Sequence, residues 1–385
     1  MKKKKISLLA IFAYTGYFGG ERANYKVLQM ISDLGAEVKF VLEEDCDTKL
    51  LDVIHRDKKK YIKLKFGPQT IGLKNTIGEY ISIVKHMLLV PYLLRKELKS
   101  NSYTHIYIPN YIQYFYVWIL LLFCKKYTVI FRIGDVPSVG ALHRIMWTYL
   151  INPNVNQFVT NSDRGYERLK ESVGSIINKK CKVIRNTLTS NFSVYEKKIP
   201  NIFFKVGYLG QLNAEKGCIQ ALKMAKKQCH EKQPISFIFA GEDKSNDKDI
   251  STLIESIQSD EKCANKVSFL GMVDRPGVAN LFLNIDVLIV PSLFEDSAPN
   301  VIYEAKFFGV PVIVFDSGGT TELITHKKDG YICKGYDVNA LTDGVEFYKN
   351  NKEALIQNSE NSKKSYSKFS CNNIQREWGE LLWGK

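Results

Sequence analysis

A glycine-rich turn that ends in a lysine is the first feature of this sequence that could bind a phosphate group. An apolar run at 204–209 leads into a turn with Gly210, Gln211, Lys216 and Gly217, and a helical pattern follows. The amino terminus of a helix attracts anions through its free N–H groups and its dipole. A lysine there adds a point charge suited to phosphate. An ordinary strand–helix turn with an exposed lysine has the same pattern.

A second segment places carboxylates before and within a helical pattern. Residues 291–305 contain Glu295 and Asp296, a turn, and Glu304 in the second turn of the helix. Asp296 is also a typical helix-capping or turn residue. Glu304 has apolar neighbours, so its carboxylate needs a partner, and sugar hydroxyls are good ones.

Two more strand patterns end in a glycine that permits close approach. Gly241 follows the run at 235–240, and Gly271 follows the run at 266–270, with Met272 next to it. Each signal is weak alone. Together with the two segments above, at the same edge of one sheet, they predict a nucleotide site.

The order of the elements predicts an α/β protein of two doubly wound, Rossmann-like domains with a cleft between them. Strand and helix patterns alternate in both halves, which is typical of parallel sheets covered on both faces. A polar stretch with Pro200 separates the halves. The predicted domains are 1–198 and 199–365, and a helix over 366–385 returns to the first domain. The predicted strands are 6–12, 37–42, 105–108, 128–131, 157–160, 182–184, 204–209, 235–240, 266–270, 287–290 and 312–315; the main predicted helices are 21–34, 79–98 with a kink at Pro91, 112–125, 217–228, 248–258, 278–283 and 301–308.

Length and composition exclude several classes of protein. The chain has 385 residues, of which 45% are hydrophobic and 24% charged. This composition excludes a disordered tail, a collagen-like fibre and a small disulfide scaffold, and the length favours two domains. The longest unbroken apolar stretches fall short of a spanning helix, so an integral membrane protein is not expected.

The positive charge is confined to the first half. Residues 1–200 carry 32 basic and 16 acidic side chains, whereas residues 201–385 carry 22 basic and 24 acidic ones. Basic surfaces attract nucleic acid, anionic lipid or acidic substrates. Lysines 58–60 alone are typical of a solvated surface, but the imbalance over a whole half favours an anionic partner.

The eight cysteines favour a reducing cytoplasm. None forms a C-x-x-C pair or a familiar zinc spacing, so no structural metal site is expected. One feature points elsewhere: Lys2 to Lys5 and the apolar run 6–18 resemble the start of a signal peptide. No small-residue cleavage site precedes Gly19 and Gly20, so a buried first strand is the favoured interpretation.

From about Arg185 to Cys333 the chain resembles the retaining glycosyltransferases of the GT-B fold, the large bacterial group 1 (family 4) enzymes of surface polysaccharide synthesis. The first half resembles them loosely, through Gly19-Gly20-Glu21-Arg22 and Ser32-Asp33-Leu34-Gly35-Ala36-Glu37-Val38. The stronger match consists of Val183-Ile184-Arg185-Asn186, the glycine–lysine turn, the E-x7-E-like segment, Gly309-Val310-Pro311-Val312-Ile313 and Ser317-Gly318-Gly319-Thr320-Thr321-Glu322.

The resemblance implies transfer of a sugar from a nucleotide diphosphate, a UDP-sugar above all, with retention of anomeric configuration. The implied acceptor is a glycan or a lipid-diphosphate-linked sugar, in capsule, O-antigen or exopolysaccharide synthesis. Lys216 would contact the diphosphate, Glu304 the ribose, and Glu295 or Asp296 the donor sugar. Gly19 and Gly20 would close over the phosphates. The remaining implied donor positions are Gly241, Gly271, Met272, Ser297, Asn300 and Val301.

Two departures from the family affect the implied site. Gln211 stands where the family usually has an arginine that shares the diphosphate, so we expect weaker donor binding or compensation from Arg22 or Arg185. Many members also have a histidine after the strand at 128–131. This chain has Arg132-Ile133-Gly134-Asp135, and Asp135 is the candidate for the acceptor side.

No metal ion is expected in catalysis, because in this fold the protein supplies the positive charge itself. The strings Asp45-Cys46-Asp47 and Asp247-Lys248-Asp249 fit the D-x-D pattern of metal-dependent sugar transferases. Both lie in very polar segments, so they are interpreted as solvated loops.

Two apolar helices of the basic half suggest a membrane contact. The segments 79–99 and 111–124 combine apolar and aromatic residues with flanking lysines, as interfacial helices do. Packing in the core of the first domain is the alternative for either helix alone. With the charge of that half, the sequence predicts a cytoplasmic protein bound peripherally to the inner face of an anionic membrane.

Three other functions stay open at this point. One is a nucleotide-sugar epimerase of the same fold, which the E-x7-E-like segment disfavours. A second is an inactive nucleotide-sugar-binding scaffold. The third, a nucleic-acid-binding protein, rests on charge alone, and no zinc finger or arginine-rich tract supports it. We therefore expect no nucleic-acid partner.

Overall fold

The structure is a computed structural model. It describes residues 5–69, 76–135, 140–174, 177, 179–189, 192, 203–231, 234–243 and 247–384. The predicted linker around Pro200 and the predicted boundary at 198 lie outside the described residues.

The chain forms two compact units. The first comprises Met1–Thr189 and Cys371–Lys385, and the second comprises Ser190–Ser370. The sequence prediction put the second boundary at 365. The structure puts it at 370, because the helix that precedes it runs on to Tyr366 and a short 3-10 turn, Ser367–Phe369, follows.

The N-terminal unit contains a parallel sheet of seven strands in the order β3-β2-β1-β4-β5-β6-β7. Apolar side chains on both faces of this sheet form two core clusters. The strands are β1 Ser7–Phe12, β2 Glu37–Glu43, β3 Lys60–Leu64, β4 His105–Ile108, β5 Thr128–Ile133, β6 Gln157–Thr160 and β7 Cys181–Val183. The helices are α1 Gly19–Asp33, α2 Thr48–Arg56, α3 Ile77–Ser100, α4 Tyr111–Phe123, α5 Ala141–Ile145, with a π-helical turn at Met146–Ile151, and α6 Asp163–Val173.

The apolar run near the start of the chain is a buried central strand. β1 pairs with β2 on one side and β4 on the other, and Leu8 to Phe12 are all buried. The strand interpretation is confirmed for the run that also resembles the core of a signal peptide.

The C-terminal unit contains a second parallel sheet, of six strands in the order β10-β9-β8-β11-β12-β13. The strands are β8 Phe204–Leu209, β9 Ile235–Ala240, β10 Val267–Phe269, β11 Val287–Val290, β12 Val312–Phe315 and β13 Gly330–Cys333. The helices are α7 Cys218–Cys229, α8 Lys248–Gln258, α9 Glu261–Ala264, α10 Arg275–Asn284, α11 Asn300–Phe307, α12 Val338–Lys349 and α13 Lys352–Tyr366.

The last helix, α14 Cys371–Trp383, packs in the N-terminal unit. Trp378 is fully buried against Tyr107, and Gln375 Nε2 donates to the Met30 carbonyl at 3.2 Å. The chain therefore begins and ends in the same unit.

Helix α3 corrects the expectation that no segment could span a membrane. Among the described residues it is the one helix long and apolar enough for this by composition, and 28% of its most apolar window is buried. It continues through Pro91 and packs against α4 and the core with one face. This is also the behaviour of a helix that covers a sheet, so the finding by itself does not make α3 a membrane span.

Candidate functional site

The strand order of the C-terminal sheet reverses between β8 and β11, and the predicted lysine turn and carboxylate segment lie at this point. In doubly wound sheets, ligands bind beyond the carboxyl ends of the strands at this switch point. The lysine turn follows β8, and the carboxylate segment follows β11. Leu293 N donates to the Glu215 carbonyl at 2.8 Å, so the two loops are in direct contact.

Lys216 and Asp296 form an ion pair in this structure. Lys216 Nζ lies 2.6 Å from Asp296 Oδ2, and the two side chains are 31% and 14% exposed. The ammonium also lies 4.3 Å from the centre of the Phe294 ring, a cation–π contact. Asn213 Oδ1 accepts from Lys216 N at 2.8 Å, which holds the turn. The lysine is thus held in one place by an acid and an aromatic ring.

Two glycines allow the loops around this pair to approach closely. Gly217 has a φ of +68°, and a Cβ there would lie 1.8 Å from the Pro291 carbonyl oxygen. Gly318, with a φ of +57°, lies against the backbone of Asp296. Gly319 N donates to the Asp296 carbonyl at 2.8 Å. The carboxylate loop is therefore enclosed between two neighbouring loops, and only glycine fits at either contact.

Gly241 and Gly271 continue this edge on the other side of β8. Gly241 N donates to the Gly271 carbonyl at 2.8 Å, and Gly210 N donates to the Ala240 carbonyl at 3.0 Å. A Cβ on Gly241 would lie 1.7 Å from the Gly210 carbonyl oxygen. Met272 follows Gly271 in the chain and is 59% exposed. The three strand ends are therefore adjacent, as the sequence predicted.

Helix α11 begins immediately after the carboxylate loop. Asn300 is its first residue, with Val301 next and Glu304 one turn later. Ser297 is buried, while Asn300, Val301 and Glu304 are half-buried. The helix carries a buried ion pair that the sequence analysis missed. Lys306 Nζ lies 2.8 Å from Asp329 Oδ2, with the two side chains 1% and 7% exposed.

Gln211 lies in the lysine turn, and its side chain is exposed. Its Oε1 accepts from Asn213 Nδ2 at 3.4 Å, and its carbonyl accepts from the Tyr208 hydroxyl at 2.8 Å. The amide therefore lies on the same turn as Lys216, without the charge of an arginine.

In the N-terminal unit, the predicted residues follow β1, β5 and β7. Gly19 and Gly20 are the first two residues of α1, and in the described part of the chain no atom beyond the adjacent helix backbone lies within 4 Å of a Cβ built on Gly20. Glu21 Oε2 accepts from Phe18 N at 3.0 Å and caps the helix. Burial raises the pKa of Glu21, and the charge of the exposed Asp135 adds to this. Two carboxylates therefore lie near each other at this edge.

Arg185 forms an ion pair within its own unit. Its Nη2 lies 2.5 Å from Asp163 Oδ2, and Nη1 donates to the Asn161 carbonyl at 3.4 Å. Arg185 is one of two residues expected to compensate for the positive charge that is missing at Gln211. The described contacts instead connect Arg185 to the start of α6.

The sequence analysis also missed a buried arginine network. Arg132 lies inside β5 and is 1% exposed. It donates to Asn24 Oδ1 at 2.7 Å and to Asn186 Oδ1 at 2.5 Å. Tyr107 donates to the same Asn24 oxygen at 2.9 Å, and Asn24 Nδ2 donates to the Gly20 carbonyl at 3.1 Å.

The Nε of Arg132 has no hydrogen-bond partner among the described residues. The only feature of the sequence that indicates this network is an arginine within an apolar strand pattern. This network connects the sheet to the first turn of α1.

Both D-x-D strings lie at the starts of helices. Asp47 Oδ1 accepts from Lys49 N at 2.7 Å and caps α2, and Asp247 Oδ1 accepts from Asp249 N at 3.0 Å and caps α8. Cys46 is buried. Asp45, Lys248 and Asp249 are exposed, in agreement with solvated segments, and Asp47 and Asp247 in addition cap the helices that follow.

The fold is shared with a protein solved in complex with a nucleotide sugar. The Anabaena protein HepE, solved in complex with UDP and with UDP-glucose, is similar over 99% of this chain and 100% of its own, with a TM-score of 0.77 and 15% identity. At that identity the likeness concerns the fold alone. It confirms a GT-B fold with two parallel-sheet, Rossmann-like domains.

The sequence comparisons match most of the C-terminal unit to one family model. Residues 194–365 match the family of glycosyl transferases group 1. An uncharacterized glycosyltransferase of Methanocaldococcus jannaschii is 29% identical over 228 residues, 54% of this chain and 56% of that protein. An uncharacterized protein in the cps region of Klebsiella pneumoniae is 25% identical over 72% of this chain and 78% of its own. The chain thus spans about half the length of the first relative.

Proposed function

We propose that this protein transfers a sugar from a nucleotide diphosphate, a UDP-sugar, to a glycan or lipid-linked acceptor with retention of configuration. The observation that carries the proposal is the cluster of Lys216, Asp296 and the start of α11 at the switch point of a group 1 domain. HepE, which shares the fold, is described with UDP and UDP-glucose. The family match gives no support to the epimerase alternative.

The proposed chemistry places opposite charges at opposite ends of the breaking bond. The bond between the anomeric carbon and the diphosphate oxygen breaks, and the diphosphate gains negative charge while the sugar ring becomes positive. Lys216 and the N–H groups of Ser297, Asn300 and Val301 would stabilise the diphosphate. Removal of one such preorganised contact costs about 10²–10³ in rate.

The carboxylates have separate roles in this proposal. Glu304 would accept hydrogen bonds from the ribose hydroxyls, and Glu295 or Asp296 would contact the donor sugar. Gly241, Gly271 and Met272 would lie along the base. No divalent cation takes part, because Lys216 and the helix terminus supply the positive charge.

A thermal-shift panel tests the donor site. We expect UDP, or another nucleotide among GDP, ADP and CMP, and its sugars to raise the Tm of the wild type, and Lys216→Ala to abolish the shift. Lys223→Ala is the matched control, because Lys223 is an exposed lysine of α7, the helix that follows the lysine turn. If no nucleotide raises the Tm, or if Lys216→Ala keeps the full shift, the donor assignment is wrong.

We further propose a peripheral contact of the N-terminal unit with an anionic membrane. Large apolar side chains lie exposed along the outer face of α3, whereas Ile83, Val90 and Leu94 on its inner face are buried. Lys85, Arg95, Lys96 and Lys99 are exposed on the same helix. This outer stripe consists of Ile77, Ile81, Val84, Leu88 and Tyr92.

The biological setting proposed is the synthesis of capsule, O-antigen or exopolysaccharide at the cytoplasmic side of a bacterial membrane. The Klebsiella relative in the cps region supports this setting. In this setting, the acceptor of the protein described here would be the growing, membrane-linked sugar.

A further inference from the structure

Three potential metal ligands meet at the end of α7 that is opposite the lysine turn, and a fourth, Cys229, lies beside them. Cys229 ends the helix and His230 follows it. Asp260 precedes α9, and Cys263 lies within that helix. The two pairs are some thirty residues apart in sequence, so no zinc spacing is visible there. The packing of α9 against the end of α7 brings them together.

Three of these side chains already lie at close range. His230 Nε2 is 2.8 Å from Asp260 Oδ2. Ligand atoms of His230, Asp260 and Cys263 all lie within 4.8 Å of one another. Asp260 Oδ1 accepts from Lys262 N at 2.9 Å, which fixes the carboxylate and leaves Oδ2 directed at the cluster.

Cys229 supplies a fourth candidate ligand. Its thiol lies close enough to the thiol of Cys263 to influence its pKa, and both residues are buried. Burial raises the pKa of the Cys229 thiol to about 12, and the Cys263 thiol adds to this. Lys266 Nζ donates to the Cys229 and Glu231 carbonyls at 2.8 and 3.2 Å, and its charge acts in the opposite direction.

We propose that Cys229, His230, Asp260 and Cys263 form a structural zinc site. Two sulfurs, an imidazole nitrogen and a carboxylate oxygen are ligands that Zn²⁺ accepts in tetrahedral sites. Tetrahedral bonds of that kind separate the ligand atoms by about 3.3–3.8 Å. The ligand atoms of His230, Asp260 and Cys263 lie within 4.8 Å of one another and reach this separation through small side-chain rotations, and the Cys229 side chain would turn towards them.

The site has a structural role in this proposal. It connects the end of α7 to α9 and to the start of β10. The lysine turn lies at the other end of α7, about 18 Å away for twelve residues of helix. Zinc would therefore stabilise the C-terminal unit without touching the donor site, and the inference does not depend on the proposed transferase activity.

Cobalt binding to the full-length, reduced protein tests the site. After dialysis against a chelator, we expect Co²⁺ to give a thiolate-to-cobalt absorption band at one equivalent per chain. Zn²⁺ should displace it and raise the Tm, since a ligand that binds only the folded state stabilises it. Cys263→Ser and His230→Ala should lose the band, while Cys333→Ser keeps it. Cys333 is buried in the same unit, away from the cluster.

His230→Ala carries the test if Cys263→Ser fails to fold, because the His230 side chain is 45% exposed. A wild type without a cobalt band would overturn the proposal. An equal band in His230→Ala or Cys263→Ser would overturn it as well. So would a wild type that takes up no metal after reduction and instead forms a Cys229–Cys263 disulfide on oxidation.

Discussion

At the scale of single residues, the pair of Lys216 and Asp296 is the central feature of the candidate site. The sequence analysis assigned these residues separately, one to the diphosphate and one to the sugar. The structure joins them at 2.6 Å. A donor diphosphate would therefore share the lysine with an acid that is already in place. Removal of the acid should affect binding of the nucleotide and turnover in opposite directions.

Asp296→Asn separates these two effects. We expect the neutral amide to strengthen the binding of free UDP several-fold, because a competitor for the Lys216 charge is removed. Turnover should fall about 10²-fold or more if Asp296 contacts the sugar as its charge develops. Calorimetric titration with UDP and initial rates measure the two quantities. Weaker UDP binding, parallel to that of Lys216→Ala, would show that Asp296 serves only to position the lysine.

A substitution at Gly20 can show whether this glycine is needed for ligand binding or for folding. Among the described residues, no atom outside the neighbouring backbone of α1 lies within 4 Å of a Cβ at this position. Alanine favours helix over glycine by about 1 kcal/mol in a helix interior, so Gly20→Ala in the first turn of α1 should leave the free energy of unfolding unchanged or slightly higher. If a ligand approaches this backbone, turnover should still fall at least tenfold. Urea unfolding and steady-state rates give the two results, and full activity in this variant would remove Gly20 from the site.

At the scale of elements, α11 combines a site residue with a buried anchor. Glu304 is half-buried, and Lys306, two residues later, is enclosed and paired with Asp329. Ser365 Oγ also accepts from Lys306 Nζ at 2.9 Å, which connects α11 to α13. Burial lowers the pKa of the Lys306 ammonium, and Asp329 opposes this change. The pair therefore sets where α11, and with it Glu304, lies.

Removal of one partner of this pair should be costly. We expect Lys306→Met to lower the free energy of unfolding by about 3–5 kcal/mol, because Asp329 is left as a buried, unpaired charge. Lys306→Met combined with Asp329→Leu should recover most of the loss. Lys363→Met, on the exposed side of α13, is the control. Chemical denaturation of the wild type and these three variants measures the effect, and an unchanged stability for Lys306→Met would show that the pair does not anchor α11.

At the scale of the whole molecule, charge and exposed apolar surface occur together in the N-terminal half. That half carries the excess of basic residues, and α3 carries the outer stripe. Core packing involves only the inner face of α3. Core packing and membrane contact, the two interpretations of this helix, therefore apply to opposite faces.

Vesicle co-sedimentation tests this surface. We expect the protein to bind anionic vesicles at low salt and to be released at high salt, since clustered Lys and Arg contribute about 1 kcal/mol each near anionic lipid. Ile81→Ser with Leu88→Ser should reduce the bound fraction several-fold. Ile356→Ser, which changes another exposed apolar residue, in the C-terminal unit, should not. Absence of binding by the wild type at low salt would refute the membrane contact.

Much of the fold follows from local patterns. Strands β4, β6, β8, β9, β11 and β12 have the predicted bounds, because buried parallel strands are short apolar runs between turn residues. Strands β3 and β13 escaped the analysis. β3 is an edge strand rich in lysine, and β13 contains a glycine, so neither has an apolar run that marks it.

The strand ends that carry the glycines, the lysine and the carboxylates can be found from local patterns alone, because turn chemistry and helix starts are local. Which of these side chains meet depends on the packing of the folded chain. The pair of Lys216 and Asp296, the network around Arg132 and the cluster at Cys229 and Cys263 each join residues far apart in the chain. Such contacts depend on strand order and helix packing, and neither is encoded in the spacing of residues along one segment.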